Sequence, residues 1–172
     1  MIEIKKITAN NKNDINLPNQ PFKIWGKLIP SLNNEKWDYK IHKFAKTFQQ
    51  CFPNENYQHD PNLIYIGAYD NNHCIGLAIF SKSMFNYLYL DDLKIDIDYR
   101  RRHIGSRLIE AGLSEAKQLN LQGIYTIAQD NNLSACLFYL NNKFEIGGFN
   151  NRDYCGTAQE GKADIYFYRD CK

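Results

Sequence analysis

Residues 89–110 read YLDDLKIDIDYRRRHIGSRLIE, in which an acidic, strand-like run leads through a basic turn into a helix. The segment Tyr87–Ile95 is predicted to form a strand. The segment 104–119 predicts an amphipathic helix, because its apolar and small residues recur on one side. That side carries Ile104, Leu108, Ala111, Gly112, Ala116 and Leu119. A strand, a basic turn and a helix in this order indicate a mixed fold with its site at the turn.

The turn places three arginines, a histidine and a single glycine, Gly105, at the start of the helix. The first N–H groups of a helix have no partner inside it, and the helix dipole adds positive partial charge there. Such a turn is an anion site, and phosphate is its usual ligand. Gly105 permits close backbone approach, and arginines supply bidentate donors. A solvated basic turn is the alternative that these residues leave open.

The composition restricts the class of protein. The chain has 172 residues, 44% hydrophobic and 23% charged, which suits one globular domain over residues 1–172. A net charge of +2 is too mild to indicate nucleic acid, and no apolar run is long enough to span a bilayer. The five cysteines are scattered without a CxxC pair, and the four histidines show no ligand spacing. We therefore expect a cytoplasmic protein with reduced thiols, no metal and neither a membrane nor a nucleic-acid partner.

The rest of the chain predicts an α/β or α+β sheet covered by helices. Trp37–Phe48 is predicted as a helix, because Trp37, Ile41, Phe44 and Phe48 recur at helical spacing. The turn DNNH at residues 70–73 predicts a hairpin between two apolar runs. The stretch PFKIWGKLIPSL, residues 21–32, is apolar but broken by Gly26 and Pro30. Further strands are predicted at 2–7, 63–69, 74–82, 123–129, 144–148 and 163–169, and a further helix at 133–141.

Residues 89–110 resemble motif A of the GNAT superfamily of N-acetyltransferases, in which R/Q-x-x-G-x-G/A follows a strand and opens a helix. Arg100 and Gly105 match the first and last positions. His103 stands where the first glycine is usual, and we expect its φ to stay negative. The resemblance implies that the turn binds the pyrophosphate of acetyl-CoA. The residues implied are Arg100, Arg101, Arg102, His103, Ile104, Gly105 and Ser106.

Residues 124–144, IYTIAQDNNLSACLFYLNNKF, resemble motif B of the same superfamily, a strand followed by N-x-x-A-x-x-x-Y. Asn132, Ala135 and Tyr139 occupy those positions, and the resemblance implies that they line the arm of acetyl-CoA. It also implies that the main chain of Leu93, Lys94 and Ile95 binds the pantetheine and polarises the thioester carbonyl. The fold implied is one GNAT domain with a mixed, mostly antiparallel central sheet flanked by helices. That sheet would be splayed between the strands of motifs A and B.

Within the superfamily, the chain resembles the streptothricin acetyltransferases. The resemblance lies in PFKIWGKLIP (residues 21–30), in WDY (37–39), and in QDNNLSACLFY (129–139) followed by FEIGGFN (144–150). It implies acetylation of an amine on the lysine-like arm of the antibiotic, and hence antibiotic resistance. Two segments depart from the group. Residues 83–86 read SMFN where an aromatic Trp-Asn pair is usual, and the loop 51–62 is less acidic than expected opposite a polycation.

The implied chemistry needs a neutral amine, a site for the oxyanion and a proton for the leaving thiolate. Tyr139 is the candidate general acid, since a phenol with a pKa of about 10 is protonated at neutral pH. Asp91 and Asp92 are adjacent on a strand and point to opposite faces, so only one can face the acceptor. Either is a candidate base, an ammonium ligand or a structural carboxylate. Cys136 and Cys155 are not assigned as nucleophiles, and direct transfer is expected.

Two other functions remain open at this point. One is a GNAT enzyme that acetylates a protein or peptide amine or a polyamine. The other is an acyl-CoA-binding module without turnover, because His103 and Lys143 replace usual glycines. Retention of the other motif residues argues against the second. The sequence leaves the acceptor and the oligomeric state open, a homodimer included.

Overall fold

The structure, a computed structural model, describes every residue from Met1 to Lys172 and contains nine strands and two α-helices. The first six strands are β1 (Glu3–Lys6), β2 (Phe22–Asn33), β3 (Lys36–Gln50), β4 (Ile64–Asp70), β5 (His73–Lys82) and β6 (Tyr87–Ile95). The last three are β7 (Gly123–Gln129), β8 (Glu145–Asn150) and β9 (Asp164–Asp170). The α-helices are α1 (Ile104–Gln118) and α2 (Leu133–Asn141), and short 3-10 helices cover Ala9–Asn16 and Ile97–Tyr99.

The chain divides into two compact units. The first unit comprises Met1–Pro21, Cys51–Ile124 and Asp170–Lys172, and the second comprises Phe22–Gln50 and Tyr125–Arg169. The first therefore holds the strand, turn and helix of motif A, and the second holds α2 of motif B. That the whole chain forms a single domain stays a prediction.

The first unit is built on four strands in the order β1-β4-β5-β6, all paired antiparallel. The predicted hairpin between β4 and β5 is confirmed, and its turn holds Asn71 and Asn72 at φ 47° and 67°. Asparagine tolerates this left-handed conformation better than most residues, and type I′ hairpin turns require it. Helix α1 packs on β4, β5 and β6. Its boundaries agree with the prediction to within one residue.

The second unit begins with a long two-stranded ribbon, β2 and β3, which pair antiparallel from Asn33↔Lys36 to Phe22↔Gln50. The prediction of a helix over Trp37–Phe48 is therefore wrong, because these residues lie in β3. The stretch 21–32, which the sequence left unassigned, forms most of β2. Gly26 is needed there, because an added Cβ would lie 2.6 Å from the carbonyl oxygen of His42.

The error has a clear physical origin. The apolar residues Trp37, Tyr39 and Ile41 also recur with a period of two, and the helical spacing masked that alternation. The decisive feature is the turn between the strands, where Asn34 and Glu35 have φ of 48° and 64°. Two successive left-handed residues make a two-residue hairpin turn that reverses the chain. Glutamate is a poor signal for such a turn, because glycine usually holds the second position.

The remaining elements of the second unit agree with the predictions to within about two residues. Strand β9 lies between β7 and β8, and β8 pairs antiparallel with β9. The predicted class, a mixed and mostly antiparallel sheet flanked by helices, is confirmed. The splay between the motif A and motif B strands stays a prediction. Neither α-helix combines the length and apolar character that crossing a bilayer would require.

Candidate active site

The basic turn after β6 is tied down by Arg100. Its Nε donates to the carbonyl of Ile95 at 3.2 Å, and one terminal nitrogen donates to the carbonyl of Pro21 at 2.8 Å. Burial lowers the pKa of this guanidinium, while Asp96 acts in the opposite sense. Arg100 therefore fixes the entry to the turn through main-chain carbonyls. The sequence assigned it to pyrophosphate, and the structure gives its side chain this additional role.

The turn itself is held in an unusual backbone conformation. Arg101 has φ of 60° and His103 has φ of 58°, so the expectation of a negative φ at His103 is wrong. A side chain in this left-handed region normally costs about 1–2 kcal/mol, whereas glycine adopts it freely. His103 therefore has a backbone conformation that suits glycine, the usual residue at this position of the motif. A chain that turns in this way directs successive N–H groups to one side, which makes a concave anion site.

The N-terminus of α1 completes the anion site. The N–H of Arg107 donates to the carbonyl of His103 at 3.1 Å and begins the helical hydrogen bonds. The N–H groups of residues 104–106 precede that bond. Ile104 and Gly105 are buried, while Arg101, Arg102 and His103 are exposed. Main-chain donors and cationic side chains therefore occur together, which is the arrangement that a phosphate group requires.

Strand β6 supplies the main chain that the resemblance assigned to the pantetheine arm. Leu93, Lys94 and Ile95 pair with Ala78, Leu77 and Gly76 of β5 on one edge. Between Ile79↔Asp92 and Phe80↔Leu90 the register shifts, so Asp91 is an extra residue in β6. A bulge of this kind locally disrupts the ladder and bends the strand. Its position beside Asp91 and Asp92 places the irregularity where the sequence predicted the acceptor side.

The two neighbouring carboxylates have different partners. Burial raises the pKa of Asp91, and a hydrogen bond from the Ser81 side chain opposes that rise. Asp92 accepts through Oδ2 from the hydroxyl of Tyr57 at 3.1 Å, and the same oxygen lies 3.1 Å from Nζ of Lys94. The two carboxylates therefore have different environments, and the prediction that they point to opposite faces of the strand stays a prediction, because Asp91 lies in the bulge. Asp92 belongs to a larger group of charged and polar side chains.

We call Glu55, Tyr57, Asp92 and Lys94 the charged cluster. Nζ of Lys94 lies 2.5 Å from Oε2 of Glu55, and it sits 5.5 Å from the centre of the Tyr57 ring. The Lys94 side chain is only 6% exposed and that of Asp92 17%. A buried lysine without anionic partners would be strongly unfavourable, so the two carboxylates account for its burial.

The charged cluster shifts the pKa of each acid. Burial raises the pKa of Asp92, and the charge and hydrogen bond of Lys94 oppose the rise. Burial also acts to raise the pKa of Glu55, but hydrogen bonds from Lys94 and Asn19 leave it below its usual value. Burial together with the charges of Asp92 and Glu55 raises the pKa of Tyr57. At neutral pH the tyrosine is therefore a neutral donor.

Sequence reasoning missed three of the four side chains in the charged cluster. Lys94 was assigned only through its main chain, and Glu55 and Tyr57 lie in a loop that was judged poor in acids. One signal was present, because Lys94 lies between the apolar residues Leu93 and Ile95 of a strand, and a lysine buried in that position needs an acid. No spacing rule connects residue 94 to residue 55.

In the second unit, Asn132 is the N-cap of α2. Its side-chain oxygen accepts from the N–H of Ala135 at 3.2 Å, which satisfies one of the open donors of the helix. The neighbouring Asn131 has a buried side-chain oxygen without a hydrogen-bond partner. Asn132 and Ala135 are thus directly linked, as two residues of one motif. The open acceptor of Asn131 lies beside them in the chain.

Tyr139 lies in an aromatic group of the second unit. Its ring is 8% exposed and lies 5.3 to 5.5 Å from the rings of Phe138, Phe144 and Phe167. These contacts fix the ring and restrict its hydroxyl to a narrow range of positions. The ring therefore has a packing role in addition to the acid role predicted for it, which stays a prediction.

The strand, the left-handed basic turn and the helix N-terminus agree with what the family of the chain requires. A family model described as Acetyltransferase (GNAT) family matches residues 29–144. The chain belongs to the acetyltransferase (GNAT) family, and it is an N-acetyltransferase.

Comparison with known proteins shows which members of the family this chain resembles. Streptothricin acetyltransferase A of Bacillus subtilis (strain 168) is 28% identical over 169 residues, which cover 96% of this chain and 98% of that protein. A solved structure from Bacillus anthracis str. Ames, assigned as a streptothricin acetyltransferase and in complex with acetyl coenzyme A, is 28% identical with a TM-score of 0.89. It covers 99% of both chains. Nourseothricin acetyltransferase, 17% identical, shares the fold with a TM-score of 0.82 over 99% of both chains.

Proposed function

We propose that this protein transfers the acetyl group of acetyl-CoA to a primary amine of a small cationic acceptor, with streptothricin as the first candidate. The observation that carries the proposal is the Arg100–Ser106 turn. It has left-handed residues at Arg101 and His103 and leads into the N-terminus of α1, in a chain of the acetyltransferase family. The nearly full-length similarity to Streptothricin acetyltransferase A supports the acceptor.

The turn suits the diphosphate of acetyl-CoA. N–H groups before the first helical bond of α1 donate to phosphate oxygens, and the exposed guanidinium groups of Arg101 and Arg102 add positive charge. In the second unit, the side-chain oxygen of Asn131 is buried without a hydrogen-bond partner. We propose that the main chain of residues 93–95 of β6 binds the pantetheine arm. Asn132 and Ala135 are proposed separately as cofactor-binding residues.

Direct transfer is the mechanism that the cysteines favour. Burial raises the pKa of Cys136 to about 12, so its thiol stays protonated and unreactive at neutral pH. Cys155 is exposed in a loop, and its thiol lies 3.7 Å from the carbonyl of Asn151. No thiol is thus assigned as a nucleophile, and the amine attacks the thioester carbonyl without an acetylated enzyme. Tyr139 is proposed to protonate the leaving thiolate, and Asp91 or Asp92 to receive the proton of the amine.

Binding of acetyl-CoA is tested by ligand-dependent stability. At acetyl-CoA of about 100 times Kd, the free energy of unfolding should rise by about 2.7 kcal/mol, since the ligand binds only the folded chain. Gly105→Asp should abolish this gain, because it places a carboxylate at the start of α1. Ser114→Asp, on the exposed side of the same helix, is the matched control and should keep the gain. Equal melting temperatures with and without acetyl-CoA would refute the proposal.

A polyamine or a protein amine is the alternative acceptor within the same enzyme class. The charged cluster does not distinguish these acceptors, because each presents an ammonium group. A competition assay with streptothricin, a polyamine and a peptide amine does, since the preferred acceptor has the highest kcat/KM. The proposal predicts that streptothricin ranks first.

A further inference from the structure

The carboxylate of Asp92 is held on one oxygen. Tyr57 donates its hydroxyl to Oδ2, and Nζ of Lys94 lies 3.1 Å from that same Oδ2. Two partners on one oxygen fix the plane of the carboxylate and direct Oδ1 away from them. Asp92 is therefore oriented by a hydroxyl and an ammonium group, whereas the hydrogen bonds that hold Asp91 come from Ser81 and from the backbone, and none comes from a cation.

Lys94 is committed to the charged cluster. Besides Glu55 and Asp92, its ammonium group donates to the carbonyl of Leu17 at 3.4 Å, and its side chain is 6% exposed. One ammonium faces two carboxylates, so the ionised cluster keeps one net negative charge. This net negative charge favours the approach of a further ammonium group.

We propose that Lys94 is a positioning residue, which holds Asp92 as an oriented carboxylate ready to take the proton of the acceptor's ammonium group. The proposal rests on the proposed function and deepens it, because it selects Asp92 over Asp91 and assigns the side chains of Lys94, Glu55 and Tyr57. Glu55 holds Lys94 in place through their ion pair. Tyr57 and Lys94 together fix Oδ2 of Asp92.

The step balances as follows. The acceptor's ammonium group loses one proton to Asp92 and becomes a neutral amine, whose lone pair forms a bond to the thioester carbonyl carbon. The carbon–sulfur bond then breaks, and the sulfur leaves with its electron pair. The nitrogen loses a second proton, the thiolate gains one, and the third stays on the amide nitrogen. Asp92 releases its proton to water.

The groups that face Asp92 determine the expected pH dependence. On β6 these are Lys94 and the adjacent carboxylate of Asp91, and from the loop that follows β3 they are Glu55 and Tyr57. Lys94 favours the ionised form of Asp92, and so does the hydroxyl of Tyr57. Glu55 disfavours it. Removal of the Lys94 ammonium and removal of the Glu55 charge must therefore shift the pKa of Asp92 in opposite directions.

The test compares Lys94→Met with the unchanged protein. Loss of the ammonium should raise the pKa of Asp92 by about 1–3 pH units, the usual effect of one close opposite charge. A base must be deprotonated, so the rising limb of kcat/KM against pH should move upward by the same interval. Carbon-13 NMR titration of the Asp92 carboxyl, identified with Asp92→Asn, measures the shift without any substrate.

Glu55→Gln gives the opposite sign and serves even if Lys94→Met folds poorly. This variant should lower the pKa of Asp92 measured by NMR, and it should move the rising limb of kcat/KM to lower pH. Lys6→Met is the control, because it breaks only the ion pair with Glu115 at 2.7 Å and should leave both unchanged. The inference is overturned if the variants at residues 94 and 55 shift the pKa of Asp92 in the same direction or leave it unchanged. Absence of acetyl-CoA binding and turnover in the unchanged protein would instead refute the proposed function.

Discussion

His103 is the residue at which this chain departs most clearly from its family motif. It occupies the left-handed position at φ 58° with an exposed side chain. Since any Cβ is unfavourable there, we expect His103→Gly to be more stable than His103→Ala by about 1 kcal/mol. Urea denaturation of the two variants without ligand measures the difference. The two variants differ only in the Cβ. Both lack the imidazole ring, so the effect of its loss on stability cancels in the comparison.

The control for this prediction is Ser106, in the first turn of α1, where φ is not positive. There the order should reverse, and Ser106→Ala should be more stable than Ser106→Gly because glycine weakens helices. Equal stability of the glycine and alanine variants at residue 103 would show that its backbone carries no strain.

Tyr139 is the residue on which acid catalysis is predicted to depend. Tyr139→Phe keeps the ring among Phe138, Phe144 and Phe167 and removes only the hydroxyl. If the hydroxyl protonates the thiolate, kcat should fall by about 10² to 10⁴ while the Kd of acetyl-CoA stays nearly constant. Steady-state kinetics and ligand-dependent stability measure the two quantities.

Tyr69→Phe is the matched control, because Tyr69 is likewise a buried tyrosine and its hydroxyl donates inside the fold, to Asp14 at 2.7 Å. This variant should lose about 1 kcal/mol of stability and keep its kcat. A kcat for Tyr139→Phe within a few-fold of the unchanged protein would assign its ring to packing alone.

Residue types and spacing predicted the main-chain parts of the site but not its side-chain partners. Arg100, Gly105, Asn132 and Tyr139 were predicted as site residues because a motif fixes their separation along the chain. Glu55 meets Lys94 only through the path of the loop after β3, and no local rule encodes that path. The same limit applies to His103, where the residue type indicated a negative φ and the turn imposed a positive one.

Helix α1 approaches the sheet through Gly112. A Cβ built at this position would lie within 3.0 Å of three ring atoms of Phe80, which is fully buried. Gly112→Ala should therefore destabilise the protein by about 1–2 kcal/mol, although alanine favours helices by about 1 kcal/mol over glycine. Chemical denaturation measures it. Ser114→Ala, on the exposed side of α1, should change stability by less than about 0.5 kcal/mol, and similar behaviour of both variants would contradict close packing at Gly112.

Elements with one consistent periodicity were predicted well. The strands β6 and β7 and the helix α2 have the predicted boundaries, since apolar spacing and flanking polar residues agree in each. The prediction failed for the ribbon because the apolar residues of β3 fit both a helical and a strand period. The strand lies exposed along most of its length, so burial does not select one of the two periods. Its conformation depends on the Asn34–Glu35 turn and on pairing with β2, which a window along β3 does not contain.

At the scale of the whole molecule, the family was predictable and the acceptor was not. Motifs A and B occur in order and identify the acetyltransferase family, which the family model over residues 29–144 confirms. The acceptor depends on side chains that differ among family members with the same fold, because one fold serves many functions. The similarity to Streptothricin acetyltransferase A extends over 96% of this chain and supports the acceptor as a proposal.

The central claim is acetyl transfer from acetyl-CoA to a primary amine. Its most direct test is incubation of the purified protein with acetyl-CoA and streptothricin, with mass spectrometry of the drug and detection of released CoA thiol. We predict one added acetyl group on an amine of the lysine-like arm, in amounts that match the thiol released and only when acetyl-CoA is present. Modification of another primary amine instead would contradict the antibiotic assignment alone. Release of no thiol with streptothricin, polyamines or peptide amines, under conditions where acetyl-CoA stabilises the fold, would contradict the claim itself.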